Sequence, residues 1–144
     1  MAAIRTDQIR QRIATAVDAL TGFSESRFAG PLFARDTDHK AHKSFAIEVA
    51  TSTPLQDRQR RGLGALTRTD YVVRWCYRLR PDAHVSDYDG ALLTEQTVVA
   101  AVMGIALTDI QLRWDGEPQR ALSPAGDWFL GALTFHVDHL YALT

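Results

Sequence analysis

The sequence predicts an α+β domain: a largely antiparallel sheet of four to five strands with two helices packed on one face. Three observations carry this. Four stretches, Lys43–Thr51, Leu66–Arg80, Thr108–Trp114 and Trp128–Tyr141, alternate apolar and polar residues with the period of a half-buried strand. Two others, Asp7–Leu20 and Asp87–Met103, carry apolar residues at helical spacing. Strands that follow one another with no helix between them pair most simply as antiparallel hairpins. At 144 residues the chain suits one domain, spanning 1–144.

Thr6 is placed to cap the first helix. Ile9, Ile13, Val17 and Leu20 then form one apolar stripe, and Gly22 ends the segment. The pattern fades from Phe23 to Lys43. Gly30-Pro31 marks a turn, Phe28, Leu32 and Phe33 tuck against the domain edge, and Asp36–Lys43 reads as a polar loop. His39 and His42 within it have a metal-like spacing, but no Cys or third His lies near them, so a solvated loop is the reading. In Lys43–Thr51, Phe45, Ile47 and Val49 share a face, and Pro54 breaks the strand. Residues 52–66 then form a long, mobile, basic hairpin loop carrying Arg58, Arg60, Arg61, Gly62 and Gly64. Most hairpin loops span only about 2–5 residues, and longer ones tend to carry function.

Leu66–Arg80 holds the cleanest alternation. Tyr71, Val73, Trp75, Tyr77 and Leu79 face a core, while Asp70, Arg74, Arg78 and Arg80 face outward with Val72 and Cys76 between them. Pro81 ends the strand. Ser86 with Asp89 has the form of a capping box that opens a second helix at about Asp87. Leu92, Leu93, Gln96, Val99, Ala100 and Met103 are expected on its inner side, thickened by a Val98–Val102 edge, with Ala91, Ala100 and Ala101 small enough for close approach to a sheet, Thr94 and Glu95 outward and Gly104 at its end. Gly90 weakens it slightly. Asp87, Asp89 and Glu95 read as favourable charges in its first turns. After Thr108–Trp114, Asp115-Gly116 signals a hairpin, Gln119–Leu122 a short return strand, and Ser123–Gly126 another turn. Trp128–Tyr141 carries apolar residues on both faces, as expected of a central strand or of one whose second face meets another subunit.

The bulk properties are those of a soluble globular protein made in a reducing cytoplasm. Hydrophobic content is 46%, charged content 23%, net charge −1, and Cys76 is the lone cysteine, read as a small half-buried strand residue. The N-terminus lacks a signal-peptide core, and no run reaches the roughly 18 apolar residues of a membrane span. Nucleotide-loop, nucleophile-elbow and zinc motifs are absent. The strongest catalytic or metal candidate is His136-Val137-Asp138-His139, where His136 and Asp138 share one strand face and His139 points to the other. A polar strand edge is the preferred reading, so no cofactor, metal or enzymatic activity is expected. Without aromatic residues among the loop arginines, and with near-neutral charge, specific nucleic-acid binding is not expected either. The second sheet face mixes Arg74, Arg78, Arg113, Glu48 and His136 with Val72, Cys76 and Ala132, a texture suited to a subunit interface.

The succession RTDQIRQRIATAVDAL, KSFAIEVAT, the Arg-rich loop, TRTDYVVRWCYRL, SDYDGALLTEQTVVAAVMG, DIQLRWDG and WFLGALTFHVDHLY resembles the tail-terminator family of long-tailed bacteriophages, over nearly the whole chain. The likeness lies in the order and texture of elements, not in a catalytic motif. It implies a small α+β sheet with two helices on one side, and a ring, typically a hexamer, that caps the tail tube and stops its polymerisation. Such a ring sits in the virion between the tail-tube protein and the head connector or stopper, and genomic DNA passes through its lumen without sequence-specific binding. The resemblance places Arg58, Arg60 and Arg61 against the tail tube or an adjacent ring. Arg68, Arg74, Arg78 and Arg80 become candidates for intersubunit or lumen contacts. A head-completion stopper or a tail-tube subunit shares this texture, and the small metal-binding enzyme using His136 and Asp138 is the further alternative.

Overall fold

The computed structural model describes residues 3–26, 41–55, 66–105 and 108–142. Its elements are β1 (Ala3–Ile4), α1 (Thr6–Asp18), β2 (Ser24–Glu25), β3 (Ser44–Pro54), β4 (Leu66–Arg78), α2 (His84–Met103), β5 (Ile110–Trp114), β6 (Gln119–Leu122) and β7 (Trp128–Tyr141). The α+β class holds. Among the described residues, however, the sheet is mixed and has seven strands, not the largely antiparallel four to five expected from the alternation. β3–β4, β4–β7, β5–β7 and β6–β7 are antiparallel, whereas β1–β7 and β2–β3 are parallel. β1 and β2 have two residues each, too few to show a period, and they are the chain just before and just after α1. They lie at opposite ends of the sheet path, β1 on β7 and β2 on β3, and do not pair with each other.

β7 is the spine. β4 runs along one of its edges from Leu66↔Leu140 to Arg78↔Trp128. Its other edge is shared end to end by β6, β5 and β1. The hairpin expected at Asp115-Gly116 is therefore not one, because β5 and β6 do not pair with each other. Trp114 lies opposite Phe135 and Gln119 opposite Ala132, so two extra residues bulge out of one continuous course along β7. The turn chemistry is real but local: Gly116 has φ 80°, and the Glu117 N–H donates to Asp115 Oδ1 at 2.9 Å. The Ser123–Gly126 turn does reverse the chain, with the Ser123 N–H donating to the Trp128 carbonyl at 3.0 Å and Gly126 at φ 73°.

Odd-numbered positions of β4 and β7 face the core. Tyr71↔Phe135, Val73↔Leu133 and Tyr77↔Phe129 are cross-strand partners, and Phe45 and Ile47 of β3 extend the same surface. Both helices join this one cluster, α1 through Ile9, Ile13, Ala14 and Val17, and α2 through Ala91, Val98 and Val102. The cap of α1 is Arg5, one residue before the expected Thr6; its N–H donates to Gln8 Oε1 at 3.2 Å. The Thr6 carbonyl instead accepts the Tyr71 hydroxyl at 3.0 Å.

α2 differs more from expectation. A short 3-10 turn at Pro81–Ala83 leads into it, and it starts at His84, ahead of the Ser86–Asp89 pair. Its buried side is Asp87, Ala91, Glu95, Val98 and Val102, while Leu93 is 67% exposed and Met103 41% exposed. Glu95, expected outward, lies inside at 5% exposure, because Arg120 of β6 donates to both its oxygens at 2.9 and 2.7 Å. A carboxylate can be buried when a bidentate guanidinium meets it. Asp87 is likewise a partner of Arg80 more than a dipole charge, accepting from the Arg80 backbone N–H at 2.8 Å and from its guanidinium at 3.0 Å. Two glycines allow close packing. A Cβ on Gly90 of α2 would lie 2.7 Å from the Tyr77 hydroxyl oxygen, and one on Gly131 of β7 would lie 2.3 Å from Trp75 Nε1.

Candidate assembly surface

The even-numbered face of β4 and β7 points away from both helices. Along β7 it presents Leu130, Ala132, Thr134, His136, Asp138 and Leu140, all half-buried. Along β4 it presents Arg68, Asp70, Val72 and Arg74, also half-buried, and then Cys76, which is fully buried, more so than the strand pattern indicated. The Cys76 thiol donates to the Ala41 carbonyl at 3.0 Å and lies 3.2 Å from Ser44 Oγ.

The charges on this face compensate one another across the strands. Arg68 faces Asp138 directly and donates to its two oxygens at 2.8 and 3.1 Å. Asp70 faces His136, with Oδ1 and Nδ1 2.6 Å apart. Arg74 reaches diagonally to Glu48 of β3 at 2.9 Å. The Arg68 hydrogen bonds hold the Asp138 carboxyl below the usual range. The side chains in these pairs are between 15% and 38% exposed. Pairs this open to water contribute only ~0–1 kcal/mol each. Their effect is to leave the charges of Arg68, Asp138, Asp70, Arg74 and Glu48 each beside a partner on this face.

The arginines singled out by sequence thus divide. Arg68 and Arg74 are tied into the sheet face. Arg80 lies beyond the strand, which ends at Arg78, and is tied to Asp87. Arg78 is exposed, and among the described residues it joins no ion pair. Arg58, Arg60 and Arg61 lie outside the described residues, as do Phe28, Leu32, Phe33 and His39. The hairpin that carries those three arginines is shorter in its loop than the 52–66 expected, because Pro54 does not break the strand: β3 runs through Pro54, which lies opposite Thr67, and the Leu55 N–H donates to the Leu66 carbonyl at 2.9 Å. Proline is tolerated there because β2 pairs with β3 only at Ser44 and Phe45, so no second neighbour among the described residues asks Pro54 for an N–H.

His136, Asp138 and His139 are not brought together. His136 and Asp138 share a face, as the alternation predicts, but each has its own partner. His139 is fully buried on the core face, with Nε2 2.8 Å from Thr69 Oγ1. Burial lowers its pKa, so it is held neutral. Among the described residues no group of three or more His, Cys, Asp or Glu is placed to hold a metal ion, and no helix is long and apolar enough to cross a membrane. Sequence reasoning missed the Glu95–Arg120 pair. The signal was there, because Ala91, Glu95, Val98 and Val102 fall at helical spacing with Glu95 in the middle of the stripe. A scan against family models and a search of curated proteins return no match to this chain.

Proposed function

We propose that this chain is a structural virion protein that forms a ring, a hexamer in the manner of tail terminators, capping a phage tail tube and joining it to the head connector. The reading rests on the sequence resemblance, and the α+β architecture is compatible with it. The single observation that supports it most is the sheet face turned away from both helices. Leu130, Ala132, Leu140 and Val72 lie there among self-compensated ion pairs, half-buried in the lone chain. Such a face suits contact with a neighbouring copy in a head-to-tail ring. Exposed Arg78, and Arg58, Arg60 and Arg61 between β3 and β4, are the candidate contacts to the tube or an adjacent ring. On this reading the protein is not an enzyme and needs no cofactor.

Native mass spectrometry of the purified chain tests self-assembly, and imaging of particles made without it tests the role. Tubes of uncontrolled length, or tails unattached to heads, are the expected phenotype. Normal particles together with a strictly monomeric protein would refute the proposal. Reversing Arg58, Arg60 and Arg61 to Glu should preserve the fold and block joining; intact joining would remove the loop from the interface.

A further inference from the structure

Where β4 ends and the chain turns toward α2, a cleft of about 350 Å3 is lined by His42, Tyr77, Arg78, Arg80 and Asp87. Its size is at the small end of ligand sites, which span ~300–1,000 Å3. The one acid of the set is already used. Arg80 donates to both oxygens of Asp87 at 3.0 Å, and these bonds hold the Asp87 carboxyl down to about 2, so it is ionised at neutral pH and satisfied.

The other groups are arranged differently. The Arg78 backbone N–H donates to His42 Nδ1 at 3.2 Å. A ring nitrogen that accepts an amide proton carries none itself, so the imidazole is neutral and its proton sits on Nε2. Burial lowers the His42 pKa in the same sense, reinforced by Lys43, Arg78 and Arg80 and opposed by Asp87. The His42 ring stands edge-on to Tyr77, with centroids 4.5 Å apart and planes at 74°. The Tyr77 hydroxyl lies against the glycine backbone of α2 at Gly90 and makes no hydrogen bond among the described residues. Among the described residues, the groups left without a hydrogen-bond or ion-pair partner are therefore the Arg78 guanidinium, His42 Nε2–H and the Tyr77 hydroxyl. All three can donate, and Lys43, Arg78 and Arg80 outnumber Asp87 around the imidazole.

We infer that this cleft binds a single oxyanion group, a carboxylate or a phosphate, through Arg78, His42 and Tyr77. Three available donors, one of them a guanidinium, match the acceptor oxygens of such a group. The inference is independent of the virion reading.

The test is NMR titration of the isotope-labelled full chain with inorganic phosphate and, separately, with sodium acetate, at ionic strength fixed with chloride. Saturable shifts of the His42 ring and the Arg78 amide are expected, with Kd on the order of millimolar. Arg78→Ala should weaken binding about tenfold. Tyr77→Phe, which keeps the ring and removes one donor, should weaken it a few-fold, and amide dispersion reports that both variants remain folded. Saturation by acetate alone identifies a carboxylate ligand, such as an acidic side chain; saturation by phosphate alone identifies a phosphate group. Shifts that grow linearly with both salts, or that are unchanged in both variants, overturn the inference.

Discussion

Adding one methyl group at Gly131 should unsettle the centre of this fold. Gly131 lies opposite Trp75 on the core face, and its missing side chain leaves the space that the indole fills. A Cβ there would stand 2.3, 2.5 and 2.9 Å from three indole atoms, Nε1, Cε2 and Cζ2. Ordinary contact begins near 3.4 Å, so one ring must move by about an ångström. The indole has little freedom to do so: Trp75 is fully buried, with Phe129 5.3 Å and Phe23 6.5 Å away between ring centroids. Overpacking of this kind costs ~1–3 kcal/mol, against a gain of ~0.5–1 kcal/mol from replacing a strand glycine. The net expectation for Gly131→Ala is a loss of ~1–2 kcal/mol, or a fall in Tm of about 3–8 °C at this size. Urea denaturation and calorimetry of the variant measure it. The cause is checked by a double-mutant cycle with Trp75→Phe, which trims the indole atoms in question. The pair should be less destabilised than the sum of the singles by at least ~1 kcal/mol, beyond the ~0.3–0.5 kcal/mol scatter of independent sites. An unchanged or raised Tm for Gly131→Ala, or simple additivity in the cycle, would refute the reasoning.

Three further outcomes can be checked the same way. Gly90→Ala should change stability by less than ~1 kcal/mol, because its clash is with the far end of Tyr77, which can shift, and because alanine favours the helix. Arg120→Ala should lower stability by ~1–3 kcal/mol in urea melts, since it leaves the Glu95 carboxylate buried without its bidentate partner; an effect within error would show that water replaces Arg120 fully. Asp87 has a folded-state pKa near 2 against an ordinary 3.8, so its contribution is present above the ordinary value and is lost as pH falls through the lowered one. Between those two values Asp87→Asn should lose stability less steeply with acid than the parent, and parallel pH profiles would rule the Arg80–Asp87 pair out as an acid-sensitive contact.

The long strands were legible because each had room to show a period. Trp128–Tyr141 and Gln119–Leu122 have the bounds the pattern indicates, and the core face of β4 follows from Tyr71, Val73 and Trp75 alone. What failed did so for identifiable reasons. β1 and β2 are set by distant partners, β7 and β3, and two residues carry no alternation. The inner side of α2 was legible only in part: Val98 and Val102 join the core and Leu92 and Val99 pack against it, but exposed Leu93 and Met103 mimic a core stripe, and Glu95 disguises the true one. Asp115-Gly116 has genuine turn chemistry, but whether it reverses the chain depends on a strand some twenty residues further on, which no local signal encodes. The candidate surface was legible as a face, since Arg74, Glu48 and His136 do share it, but the pairings that neutralise it depend on register.

The placement of β7 also bears on how the protein is made. Ribosomes deliver the β3–β4 hairpin and both helices first, while the segment that neighbours β4, β5, β6 and β1 emerges after all of them. Until it arrives, β4 has a bare edge and the helices have no finished floor, so a nascent chain is exposed to sticking to other chains. Stop codons or proteolytic cuts before Trp128 should therefore yield insoluble material instead of a smaller folded unit.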